Sequence, residues 1–404
     1  MVSPVLRFQG FIAPWNISLL GSFLKHIGSG ITPKGGSSVY QKEGVILIRS
    51  QNVHFSGLKL EDVAFISEEI NERMKNSSVE SFDVLLNITG GSIGRTTIVP
   101  LGFPKANVNQ HVCILRTKKE LFPQFLKSFM ESSKGQKNVF TDQAGQTREA
   151  INLQQIKNFK IGIPTLEEQQ KIASFFSILD KKIEKQHEKI EMMKLFNNGI
   201  MQKIFSKKFR FKDENGEDFA EWLETDLSHL LKIPKKIVES SISRDKLLTV
   251  KLHRNGVRVN QNTDTLKLGS TTYYRRKAGQ FIFGKQNFFN GAFDIIPDKY
   301  DGYLSSGDVP TLEFNKDIIV PSFLIFYLGR ESFYKKTEGI ASGTGSKRIH
   351  ESTLLRIKIK LPSLEEQQKI SSFLQSISSK LEKEQAKLSS LNQLKKGLMH
   401  QMFV

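Results

Sequence analysis

The stretch Gly90-Gly91-Ser92-Ile93-Gly94-Arg95-Thr96 has the residue types of a phosphate-holding loop. Glycines let backbone N–H groups approach a phosphate closely, and Arg95 adds charge. The spacing is not GxxxxGK[ST] and an arginine stands where a lysine is needed, so a nucleotide-hydrolysis loop is excluded. The same residues would serve equally as a hairpin turn at Gly94. Arg49-Ser50-Gln51-Asn52 follows the apolar run Val45-Ile46-Leu47-Ile48. Arginine pairs with guanine and glutamine or asparagine with adenine in the major groove, so Arg49, Gln51 and Asn52 at a strand end are candidate base readers. A polar turn capping the strand is the competing reading. Arg95, Thr96, Gln110, Gln146 and Arg148 complete the candidates of the first half. In the second half they are Arg275 and Arg276, then Lys285, Gln286 and Asn287, then Lys347 and Arg348 in a glycine-flanked loop, which is equally a solvated surface turn.

Catalytic patterns are missing. No Asp or Asn precedes Pro-Pro-aromatic as in adenine methylases, and no GxGxxG follows a strand. Pro297-Asp298 is followed by Glu313-Phe314-Asn315-Lys316, one residue too wide for a nuclease PD…(D/E)xK set. The eight histidines fall in no triad or metal spacing, and the lone Cys113 excludes an internal disulfide or a cysteine-rich zinc site. We therefore expect no catalytic residues, no metal and no cofactor in this chain. A fused methylase or nuclease, or an RNA-binding coiled-coil scaffold, are the alternatives.

A chain of 404 residues is long enough for two or three domains with hydrophobic cores. Lysine and arginine outnumber acids 59 to 41, a net charge of +18 that points to a polyanionic partner, double-stranded DNA first. No apolar run reaches the roughly 18 residues of a membrane span, and the N-terminus lacks a signal-peptide pattern, so a cytoplasmic protein without membrane contact is expected.

An internal repeat organises these elements. Residues 163–205 and 361–403 align without a gap at an offset of 198, sharing 17 of 43 positions including PxLEEQQKI, too long a match for chance. Leu6-Arg7-Phe8 with Trp15 echoes Phe209-Arg210-Phe211 with Trp222. Between these landmarks the halves diverge, giving the order variable domain (1–162), repeated helix (163–208), variable domain (209–360), repeated helix (361–404) and an α/β (α+β) class. Each helix starts with a cap, Thr165 or Ser363, and Glu168 or Glu366 stands at the capping-box position. Heptad seams follow, through Ile183, Ile190, Met193 and Ile200 in the first copy and Leu381, Leu388, Leu391 and Leu398 in the second. Gln186 and Asn197 interrupt the first seam, and Glu384 and Lys395 interrupt the second at the same two places. An antiparallel, pseudo-twofold coiled coil is expected, in a register that sets Gln186 against Lys395 and Asn197 against Glu384. Solvent or a partner helix at those polar positions is the alternative.

Two unlike domains, each followed by a PxLEEQQKI helix, resemble the specificity (S) subunit of Type I restriction–modification systems, the HsdS family. The resemblance covers essentially the whole chain. It implies two target-recognition domains reading the halves of a split DNA site, and helices that space them and dock two modification subunits. Those subunits would bind S-adenosylmethionine and methylate adenine, and separate restriction subunits would use ATP and Mg to translocate and cut DNA. On this reading the chain itself is non-catalytic.

Overall fold

A computed structural model describes residues 2–33, 35–141, 150–261, 271–343 and 346–404. The chain divides into two units: Met1–Ile190 with Glu384–Val404, and Glu191–Lys383. Each long helix therefore contributes to both.

In the first unit, an antiparallel four-stranded sheet runs in the order Leu24–Ser29, Val112–Thr117, Val84–Asn87, Thr96–Ile98. A three-stranded sheet sets Val45–Ile48 between Ala64–Ile66 and Ala106–Val108, the last pairing parallel. The expected strand at Val45–Ile48 is present and every residue in it is buried, which is why its apolar run does not alternate. The strand Val84–Asn87 begins two residues after Phe82, which turns into the left-handed region at φ 71°.

The second unit repeats this skeleton. Its four-stranded sheet runs Leu231–Lys232, Thr311–Phe314, Phe281–Phe283, Phe293–Ile295. Two smaller pairings, Leu248–Val250 with Val257–Val259 and Tyr273–Arg275 with Leu304–Ser306, accompany it. In each unit one strand pair leads into the long helix, Asn16–Leu19 with Lys160–Ile163 and Leu223–Asp226 with Lys358–Leu361.

The helices run Leu166–Phe205 and Leu364–Met402. Thr165 and Ser363 accept from the backbone N–H of Glu168 and Glu366 as expected of caps. The carboxylates do not close a capping box. Glu168 instead takes Arg7 at 2.9 and 2.7 Å and the Trp15 indole at 3.3 Å. Glu366 takes Arg210 at 3.2 and 2.9 Å and the Trp222 indole at 2.9 Å. The next residue is equally internal: Gln169 accepts from the N–H of Phe122 and donates to the carbonyls of Glu120 and Pro164, while Gln367 treats Val320, Ile318 and Pro362 alike. The repeated motif is thus the joint between domain and helix, four of its polar groups being buried.

Every seam position is buried or half-buried, and each unit packs its two helical stretches antiparallel. In the first unit Phe176 stacks on Phe403 at 5.9 Å and Gln186 meets Glu384. In the second, Ile204 and Phe205 share a core with Ile370 and Leu374. The expected register is corrected. Gln186 donates to Glu384, at 2.7 Å to the carboxylate and 3.0 Å to the backbone carbonyl, and not to Lys395, eleven residues further on. Lys395 finds its counter-charges at Glu131, on a helix of the domain, and Asp180. Glu131 belongs to the helix Pro123–Glu131, a third element packed beside the two long helices.

Candidate nucleic-acid interface

Strand directions bring three of the candidate segments of the first unit together. Val45–Ile48 and Ala106–Val108 are parallel, so Arg49 and Asn109 leave the sheet at the same edge, and the Asn109 N–H donates to the Ile48 carbonyl at 3.0 Å. Asn87 ends its strand opposite Val112, where the neighbouring strand begins. Its side-chain amide then ties two segments by donating to the Ser50 carbonyl at 2.8 Å and to Ser92 Oγ at 3.1 Å. Thr89 and His111, 2.6 Å apart through Oγ1 and Nδ1, tie the third. Asn87 was not among the sequence candidates. A polar residue at the end of an otherwise apolar strand was the available signal.

Within this cluster the candidates separate by burial. Asn52 is 2% exposed, and its amide donates to the carbonyls of Lys59 and Asp62 while its oxygen caps Arg49. Thr96 is fully buried with its hydroxyl on the Leu85 carbonyl. Both are internal supports, a correction to their place among the DNA-contact candidates. Arg49 and Gln51 stay at the surface, held by Asp62. The carboxylate fixes them side by side at the strand end. Gln110 bonds Thr32 and His111. Arg95 is half-buried, and its guanidinium has no partner among the described residues. The glycine segment proves to be the hairpin connection: Gly94 has φ +82°, and the N–H groups of Ile93, Gly94 and Arg95 all bond within the turn. Those three donors are not free for a phosphate. Gln146 and Arg148 lie outside the described residues.

In the second unit Arg276 is 4% exposed and sits behind the surface. It donates to Ser305, Thr311 and the carbonyls of Ser306 and Val309, and burial without a bonded carboxylate pulls its pKa down to about 10. It buttresses the Ser306–Val309 turn, a second correction. Its neighbour Arg275 is exposed and paired with Glu239. Lys285 is largely covered, 2.9 Å from Glu351. Its backbone carbonyl accepts from Ile349 and its N–H donates to Asp308, which also holds Arg348 at 2.9 Å. Lys347 pairs with Glu338 at 2.8 Å. Gln286 and Asn287 are exposed beside this group. The strand end after Phe283 and the 346–348 segment thus meet in one place.

No group of three His, Cys, Asp or Glu side chains among the described residues is placed to hold a metal. Cys113 is fully buried, and burial pushes its thiol up to about 12, which leaves it inert.

Comparison with known proteins matches this arrangement. The profile of the Type I restriction modification DNA specificity domain matches residues 14–194 and 257–393. The MjaVIII type I restriction enzyme specificity subunit of Methanocaldococcus jannaschii is 24% identical over 404 residues, covering 96% of this chain and 91% of that protein. The EcoBI specificity subunit of Escherichia coli is 31% identical over 188 residues, 45% of this chain and 37% of that protein. In fold, the crystal structure of a Type I restriction–modification S subunit from M. genitalium aligns with 100% of this chain and 99% of its own at a TM-score of 0.61 and 15% identity. With two profile matches that take in most of its length, the chain belongs to the Type I restriction–modification DNA specificity family.

Proposed function

We propose that this specificity subunit reads a bipartite duplex target, one half through residues 1–162 and the other through residues 209–360, and carries no chemistry of its own. Specificity subunits of Type I systems are non-catalytic and act on DNA within a larger assembly. The observation that carries the two-reader model is the convergence of Arg49–Gln51, the Gly90–Arg95 turn and Gln110 on one edge of the first unit. A separate polar group at Gln286, Asn287, Lys347 and Arg348 marks the second. Strand ends that present arginine and amide side chains together suit base edges in the major groove. Arg95 and Lys347 suit phosphates, which position the protein without carrying sequence.

Methylation and cleavage belong, on this reading, to partner subunits: two modification subunits with S-adenosylmethionine, and restriction subunits with ATP and Mg. Repeat positions that face outward, Glu167 and Gln170 in one copy and Glu365 and Gln368 in the other, are identical yet exposed. Identical outward residues in both copies support two equivalent docking surfaces for one kind of partner.

Co-expression with the modification subunit and genome-wide mapping of methylated adenines tests the proposal. A split motif with a fixed gap is expected, and exchange of residues 209–360 should alter only one half of it. A change in both halves would refute the two-reader model.

A further inference from the structure

Where the first unit packs its helix Pro123–Glu131 against the long helices, four charges close a ring. Lys127 lies 2.6 Å from Glu131 and 2.9 Å from Asp180, and Lys395 lies 2.8 Å and 2.6 Å from the same two acids. Two cations balance two anions. The repeat offset carries these positions to residues without charge: Ile325, Gly329 and Ser378 replace Lys127, Glu131 and Asp180, and Asn197 stands for Lys395. The frame itself is kept. Pro123–Glu131 becomes Pro321–Leu328, and the N–H of Phe122 and of Val320 each donate to the repeat glutamine at 2.8 Å. In the second unit Asn197, Ile325, Gly329 and Ser378 line a cavity of about 710 Å³. In the first unit, Lys127, Asp180 and Lys395 of the ring line a cleft in their turn.

Into the cavity of the second unit the chain brings positive charge. Arg330 lies over the Tyr327 and Phe205 rings at 4.2 and 4.6 Å, its Nε bonds the Tyr327 carbonyl, and its Nη groups have no partner among the described residues. Arg254 lies over Phe293 at 4.8 Å and donates one Nη to the Ile325 carbonyl at 2.8 Å, while its buried Nε bonds nothing. Neither makes an ion pair among the described residues. Glu331, at the rim, is paired with Lys335. Asp294 acts on Arg254 through its field alone, and desolvation lowers both arginines' pKa values. Asn197 Oδ1 is buried without a partner as well. His253 and Arg254 are consecutive non-glycine residues in the left-handed region, φ 54° and 62°. Backbone strain of this kind persists only where the surrounding structure over-determines it.

We propose that this cavity binds the phosphoryl group of a small phosphate ester, gripped by the Arg254 and Arg330 guanidiniums, with the Asn197 amide turned to donate. Two unpaired guanidiniums call for a ligand carrying two negative charges, and the volume admits more than a bare ion. The aromatic rings that carry the arginines also fix them, so little ordering cost is left for binding.

Calorimetry on the full chain with inorganic phosphate, and in a parallel arm with a nucleoside monophosphate, tests this. Both should bind the wild type. Equal affinities identify free phosphate as sufficient, and tighter binding of the monophosphate identifies an ester. Arg330→Gln should weaken binding by roughly tenfold or more, the loss of a charged hydrogen bond. Ser378→Asp returns the carboxylate that the first unit carries at Asp180. It should abolish phosphate binding while raising the melting temperature, and it decides the matter if Arg330→Gln fails to fold. Absence of phosphate binding to the wild type, or equal binding in wild type and Ser378→Asp, overturns the proposal. Loss of duplex affinity in Ser378→Asp without any phosphate binding to the wild type assigns the arginines to a DNA backbone and overturns it too.

Discussion

Gln186 and Glu384 occupy the same position of the duplicated helix, and each is the other's hydrogen-bond partner. Antiparallel copies share one layer in which a position meets its own repeat, and this polar pair marks it. Lys189 adds a bond to the same carboxylate.

The Lys189 bond and then the Gln186 bond hold the Glu384 carboxyl below its ordinary value of 4.5. A carboxylate whose folded pKa is depressed stabilises the fold above its unfolded pKa, and that contribution disappears as pH falls through the folded value. Glu384→Gln should therefore flatten the acid limb of the stability curve below pH 4.5 and leave its slope near neutrality unchanged. Chemical denaturation across the acid range checks it; an unaltered acid limb would contradict the assignment.

Glu168 and Glu366 should be the costliest single positions of the repeat. Each is buried to 1% exposure or less, takes an arginine through both oxygens and caps a tryptophan indole. Breaking a buried pair leaves one charge stranded, a loss of about 3–5 kcal/mol. The arginines keep some solvent access, which places Glu168→Ala and Glu366→Ala near the lower end. Urea titration of each variant measures the loss.

Surface and buried candidates should part company in DNA binding. Gln51→Ala in the assembled complex is expected to cost about 1–3 kcal/mol of discrimination at one base pair. Arg95→Ala, acting on a phosphate, should weaken all sequences alike and lower the salt slope by about one. Asn52→Ala, Thr96→Val and Arg276→Met should instead lower stability by about 1–3 kcal/mol, through orphaned partners, with base preference intact. Competition binding at two salt concentrations separates the three patterns.

Lys395→Met should destabilise more than Lys194→Met. Lys395 serves two acids, one of them the 4%-exposed Glu131, whereas Lys194 pairs with a largely exposed Glu191. Removing a cation from the buried ring is expected to cost about 3 kcal/mol, and from the exposed pair less than about 1 kcal/mol. Comparable midpoints for the two variants would argue against the ring.

The duplication, both long helices, their caps and the heptad seam were legible because each leaves a periodic or repeated trace. The helix register was not. Polar seam residues match one another in more than one alignment, and Lys395 answers to Glu131 on a helix whose packing no periodicity reveals. The strand-end loop at Arg49 was found for a similar reason of pattern, since the apolar run Val45–Ile48 stops abruptly there. Which side chains turn inward was hidden: Thr96 and Thr97 are both buried, so alternation fails in so short a strand. Arg276 was misplaced because arginine is rarely buried without a carboxylate, and the turn that it buttresses is closed by backbone carbonyls.

Phe403 is 2% exposed in the core of the first unit, against Trp15, Phe125, Phe129 and Phe176. The Leu6 N–H donates to the Gln401 carbonyl beside it. Synthesis proceeds from the other end. A chain leaving the ribosome finishes every residue of the second unit, 191–383, before the aromatic socket of the first can receive its plug. The half that is translated first is thus completed last, and until then its nascent form is the one that a chaperone would meet.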